Sequence, residues 1–264
     1  MTQLPVGARV LNITVNLVGT SYERREVKED RLWGRYSYGK YPANAGTGRM
    51  LDLFERTGIK ATFFVPAFEA VQAPDLVRTI AAAGHEIAAH GNAMEDHSQL
   101  GDAEEAELLA SAHEKLSQIA GLAPRGWRAP GGTMSAHTLR HLAALGYAYD
   151  SSFQDDDVPY SLKADGGGTM VELPQNEMLI DATLWNVRQT HERVLKTWIE
   201  EFEGLYNESC YACLTLHPRS DFGSGRASRI AVVEAFLRHV RSRPDVTVMT
   251  CERLARQFGT LSLS

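Results

Sequence analysis

From Gly46 onward, short runs of apolar and β-branched residues alternate with longer stretches whose apolar positions recur every three or four residues. This alternation constrains the chain more than any other feature. Strands separated by helices pair in parallel through right-handed crossovers, and the sheet they form must be covered by those helices. The helical stretches read as Gly48 to Thr57, Pro74 to Ala83, Asp102 to Ala120, Ser135 to Leu145, His191 to Leu205, Ser228 to Arg241 and Cys251 to Phe258. Strand signals lie at Lys60 to Val65, Ile87 to Ala89, Gly126 to Ala129, Tyr147 to Ser151, Met170 to Leu173, Tyr211 to Leu216 and Val246 to Met249, after a first strand at Ala8 to Val18. Seven or eight such units in sequence favour an α/β barrel over an open sheet, in a single domain covering residues 1–264. Two stretches lack periodicity and read as loops, Gly19 to Ala45 and Gln154 to Gly168. The first is long enough to be a lid, a binding loop or an oligomer contact.

In such a fold the carboxyl ends of the strands converge on one cleft, so polar residues there are the place to look for chemistry. Ala83-Gly-His-Glu-Ile-Ala-Ala-His90 reads as a helix stop at Gly84 and a short buried strand that delivers His90. Asn16, Arg128, Asp150 and His217 stand at the ends of four other strands. Each alone has an ordinary structural reading, as a cap, an ion pair or a rim histidine. Ionisable groups at the same end of several strands form a site by converging.

The composition narrows the partners. A net charge of -6 and a pI near 5.9 leave no electrostatic footprint for nucleic acid or an anionic membrane. No apolar run approaches the roughly 18 residues of a membrane span, and no basic region precedes an apolar core at the N-terminus. A cytoplasmic protein acting on a small molecule, assembled as a homo-oligomer, is expected. Three cysteines do not make a disulfide framework, and Cys210 and Cys213, although spaced C-x-x-C, read as core packing.

The order of segments resembles the polysaccharide deacetylase (carbohydrate esterase family 4, NodB-like) superfamily. The carriers are Gly58-Ile-Lys-Ala-Thr-Phe-Phe-Val65, Ala83 to Gly91, Gly126-Trp-Arg-Ala-Pro-Gly131, Tyr149-Asp-Ser-Ser152 and Leu216-His-Pro218. Asp150 to Tyr160 and Leu216 to Arg226 are similar to the bacterial allantoinases and cyclic-imide hydrolases within that superfamily. The resemblance implies a distorted (β/α) barrel of about seven strands and a hydrolase of C–N bonds. Deacetylases of the superfamily place an aspartate pair at the end of the first strand and an H-x-x-x-H pair around a metal. Here those positions hold Asn16, Val18, His90 and Met94.

No cofactor is therefore expected; a zinc site rebuilt from His90, Asp96 and His97 is the alternative. Ring opening of a cyclic amide or imide needs a base, an oxyanion partner and an acid. The base is expected from His97 or His90, held by Asp96, or from Glu23. Arg128 is expected to clamp the carbonyl, His217 to be the acid and Asn16 to orient water. Trp127, Asp150, Tyr160 and Trp185 are expected around the ring. Two other functions stay open: a zinc-dependent N-deacetylase of a sugar or peptide, and a binding protein that keeps only the pocket.

Overall fold

The computed structural model describes residues 9–28, 31–165, 168–208 and 211–262; Cys210 of the C-x-x-C lies outside them. The strands are β1 (Arg9–Asn16), β2 (Thr62–Val65), β3 (Glu86–Ala89), β4 (Gly126–Trp127), β5 (Tyr149–Asp150), β6 (Tyr160–Lys163), β7 (Thr169–Glu172), β8 (Tyr211–Leu216) and β9 (Val246–Met249). The helices are α1 (Thr20–Glu23), α2 (Thr47–Thr57), α3 (Ala67–Gln72), α4 (Pro74–Ala82), α5 (Asp102–Ala120), α6 (Thr138–Ala144), α7 (Asp181–Asn186), α8 (His191–Glu208), α9 (Ala227–Arg241) and α10 (Cys251–Ser262).

The sheet runs β6-β7-β5-β4-β3-β2-β1-β8, and β9 also pairs with β1. One edge of β1 is shared: its first half pairs with β9 and its last residues with β2. Every pairing is parallel except β6 with β7. A bridge between Ile180 and Thr215 draws the chain after β7 towards β8, so the sheet curls into a distorted barrel.

Strand alternation divides the interior in two. Leu11, Ile13, Val15, Phe63, Val65, Ala89, Trp127, Leu214 and Leu216 face outward and pack under the helices in one core. Phe64, Ala88, Tyr149, Val171, Tyr211 and Cys213 belong to a second core, with Leu254, Ala255 and Phe258 of α10 packed against them. The face of β1 that carries Asn12, Thr14 and Asn16 is buried and polar. That face leads to the site.

Nine strands are present among the described residues where about seven were expected. Eight of the nine lie in segments read as strands, and the ninth is β6, inside the stretch read as the loop Gln154 to Gly168. β6 buries every second residue only partly, a weak signal typical of an edge strand. The stretch Gly19 to Ala45 is not a plain loop either: it holds α1, a 3₁₀ segment Gly34–Lys40 and the start of a π turn Pro42–Gly46. Single turns bury too few residues to leave a period. Gly84 has φ 79, as the helix stop required.

Candidate active site

Asn16 ends β1, His90 follows β3, Arg128 follows β4 and His217 follows β8. Their side chains line one cavity of about 260 Å³, with Tyr22, Phe222, Met94, Gln154, Gln175 and Asn186 among its other walls. The chain enters through a tight turn. Gly91 has φ 67, and a Cβ there would lie 2.5 Å from Pro130 Cγ, so the residue after His90 has to be glycine. Met94, also at positive φ (66), presents its side chain to the cavity.

Arg128 forms the floor and is only 1% exposed. Its Nε donates to Ser151 O at 2.8 Å, and Nη2 donates to Ser151 Oγ at 2.7 Å. Nη1 donates to Thr14 Oγ1 at 3.0 Å and Asn16 Oδ1 at 2.9 Å, while the guanidinium rests on Phe64, 4.0 Å from its ring centre. With four donors committed to protein oxygens and the fifth directed at Cys213 Sγ, 3.7 Å from Nη2, Arg128 can serve the site through its charge and by fixing Asn16. A direct clamp on the carbonyl, as first expected, does not fit this geometry.

Because the Asn16 oxygen accepts from Arg128, its Nδ2 must be the atom 3.2 Å from His217 Nε2. An amide nitrogen donates, so His217 Nε2 accepts and the ring proton sits on Nδ1. There it meets Asp181 Oδ1 at 2.6 Å. The second Asp181 oxygen accepts the backbone N–H groups of His217 at 2.9 Å and Ser224 at 2.8 Å. The network thus builds a carboxylate-imidazole-amide line ending at the cavity. His217 in this tautomer presents an acceptor, not a donor, at Nε2.

His90 Nδ1 lies 2.8 Å from the Arg128 carbonyl and must donate to it, so its Nε2 carries the lone pair. Burial pushes its pKa down to about 3. A group held neutral that firmly accepts hydrogen bonds but is a poor proton carrier at neutral pH.

The other expected residues stand elsewhere. His97 is fully buried behind the wall, donating from Nδ1 to Glu105 at 2.9 Å and packed edge-on against Trp127. Burial would raise the Glu105 carboxyl, but hydrogen bonds from Ser135, Thr138 and His97 outweigh it and hold it below its usual range. His97 does not line the cavity, which removes it as the base. Asp96 caps the next turn through Ser98, at 3.1 Å to its N and 2.6 Å to its Oγ. Glu23 is paired with Arg219. Trp127 and Asp150 each precede an inward-facing residue, Arg128 and Ser151, and therefore point to the outer face. Asp150 accepts from Ser152 at 2.7 Å and 3.1 Å, beside Glu172 in the next strand. Tyr160 donates to Asp155 at 2.8 Å on edge strand β6, and Trp185 Nε1 donates to Ser224 Oγ at 3.1 Å. Neither wall residue touches the cavity.

The residues do not fit a divalent cation. Among the described residues no group of three His, Cys, Asp or Glu converges. His90, Asp96 and His97 do not converge, Asn16 is neutral, and the cavity floor already carries the Arg128 guanidinium, which would repel a second cation.

Asp181, which binds both the ring and the backbone of His217, is a candidate site residue that the sequence did not single out. It opens α7, a helix of six residues. The one available hint was an acidic residue in a first helical turn ahead of Trp185, a pattern with many ordinary causes.

The sequence profile of the polysaccharide deacetylase family matches residues 27–149. A solved structure from Mycobacterium smegmatis, assigned as a polysaccharide deacetylase, is 30% identical and superposes with a TM-score of 0.90, covering 99% of this chain and 94% of that one. The peptidoglycan deacetylase-like protein FGM2 of Gibberella zeae is 28% identical, over 97% of this chain and 88% of its own length. The structure of Puue allantoinase, 24% identical with a TM-score of 0.84, shares the fold over 97% of this chain and 92% of that one.

Proposed function

Because this chain belongs to the polysaccharide deacetylase superfamily, whose members here point to hydrolysis of C–N bonds, we propose that it opens a small cyclic amide or imide ring of the allantoin, hydantoin or succinimide kind. The observation that carries the proposal is the Asp181–His217–Asn16 line, aimed into a cavity of about 260 Å³. That volume lies below the roughly 300–1,000 Å³ of pockets for drug-sized ligands. It suits one small ring better than a sugar polymer.

The chain's own residues supply the chemistry. A water takes the place of the Asn16 Nδ2–H at His217 Nε2 and loses a proton to that nitrogen as its oxygen attacks the ring carbonyl, and Asp181 stabilises the imidazolium. Negative charge develops on the carbonyl oxygen above the Arg128 floor, where the second Nδ2 hydrogen of Asn16 is available to it. His217 then returns the proton to the ring nitrogen as the C–N bond breaks, so one residue acts as base and then acid. Neutral His90 accepts a ring N–H and orients the substrate. Buried Gln175 and exposed Gln154 and Asn186 offer further amide partners.

The deacetylase relatives favour a second reading, removal of an acyl group from an amino sugar. Parallel assays of hydantoin, allantoin, succinimide and N-acetylglucosamine oligomers separate the two: ring opening alone supports the proposal, and acetate release alone supports the second reading.

A further inference from the structure

Arg219 is fully buried and lies outside the chemistry just described. Its Nε and Nη2 reach the two oxygens of Asp221, each at 2.9 Å, while Nη1 donates to Gly19 O at 3.1 Å and Nη2 also binds the Glu23 carboxylate. The guanidinium sits 5.2 Å from the ring centre of Tyr22 and 4.6 Å from that of Phe222. Those rings are 5.2 Å apart, both line the cavity, and Phe222 packs edge-on against His217. Arg219 therefore joins two segments nearly 200 residues apart in sequence, each carrying one aromatic wall residue. Gly39 and Gly46 pack closely at the same joint. A Cβ on Gly39 would strike Glu23 Oε2 at 2.3 Å, and one on Gly46 would strike Pro218 O at 1.8 Å.

We propose that Arg219 is a positioning residue that clasps α1 (Thr20–Glu23) beside the cavity, holding Tyr22 and Phe222 as a wall that admits unsubstituted small rings and rejects bulky ones. The proposal rests on the cyclic-amide reading for its substrate, but the clasp itself does not. The planar fork of arginine can span both carboxylates and a main-chain carbonyl, and the compact ammonium of lysine cannot. The hydrogen bonds joining Asp181, His217 and Asn16 involve neither Arg219 nor Glu23, so opening the clasp loosens the wall and leaves those bonds in place.

The test compares Arg219→Lys and Glu23→Gln with wild type in the full chain. With hydantoin, KM is expected to rise about tenfold while kcat stays within about threefold and the pH profile of kcat keeps its shape, because uniform binding is lost and the proton transfers are not. The preference for hydantoin over a hydantoin with a bulky 5-substituent should shrink. Trypsin should cut faster after exposed Arg24 and Arg25 in both variants. Unchanged KM and cleavage in both variants would overturn the clasp, as would a fall in kcat as large as the rise in KM. Where Arg219→Lys does not fold, Glu23→Gln carries the same comparison. Where wild type opens no ring, the functional reading fails, and the cleavage rates alone decide the clasp.

Discussion

Asp181 holds His217 at two points: one carboxylate oxygen lies 2.6 Å from the imidazole Nδ1, and the other accepts the backbone N–H of the same residue at 2.9 Å. Ring and main chain are thus fixed relative to one carboxylate, which sets both tautomer and orientation. Asp181→Asn can present an amide N–H to Nδ1 and reverse the tautomer. Its kcat is expected to fall by about 10²–10⁴ with KM within a few-fold, and His217→Ala should fall at least as far. Steady-state kinetics on folded variants checks this. Unchanged turnover in either would remove His217 from the chemistry.

Asn16→Asp replaces an amide that donates to His217 with a carboxylate that only accepts. The new charge would pair with Arg128 and repel the developing oxyanion. Turnover is expected to drop by about 10²–10³, the range for losing an oxyanion donor, and added zinc should not restore it. Recovery with zinc would show that the site needs only this carboxylate to hold a metal.

Asp150 and Glu172 sit side by side on the outer face, and burial followed by the neighbouring Asp150 raises the Glu172 carboxyl well above its usual range. A carboxyl raised in the folded state binds its proton there more tightly than in the unfolded chain. Its stabilisation is complete below the unfolded pKa and is lost as pH rises through the folded one. Glu172→Gln should therefore lose less stability than wild type as pH rises above the ordinary carboxylate range in denaturant titrations. Parallel pH curves for the two proteins would contradict this.

His85 works in the opposite direction. Its Nδ1 accepts the Ala61 N–H at 3.1 Å, and burial, then Lys60, lowers its pKa to about 4. The unfolded chain takes up the proton first, so this stability is present above the ordinary histidine pKa and disappears as pH falls towards about 4. His85→Gln should flatten the loss of stability between pH 6.5 and pH 4. An unchanged slope would contradict the assignment.

Elements that bury a full stripe or a full strand were legible from the residues alone. α5 and β8 occupy the ranges their patterns indicated, because many positions contribute to each. Strand ends were legible for the same reason, and they brought His90, Arg128, His217 and Asn16 to one cavity. What stayed hidden depends on a single residue's parity or on a distant partner. Trp127 and Asp150 miss the cavity by one step of strand alternation, His97 turns to Glu105, and Asp181 reaches a histidine 36 positions away. The proposed roles shift with the partners: Arg128 has no donor to spare, and His217, as we propose, begins as a base.

We propose ring opening by the Asp181–His217 pair without a metal. Its most direct test is hydrolysis of hydantoin, allantoin and succinimide by wild type and His217→Ala after exhaustive chelation. The expected result is turnover of at least one ring that survives chelation in wild type and is lost in the variant. Failure to open any ring, together with acetate release from an N-acetylated sugar that stops on chelation and returns with zinc, would contradict it.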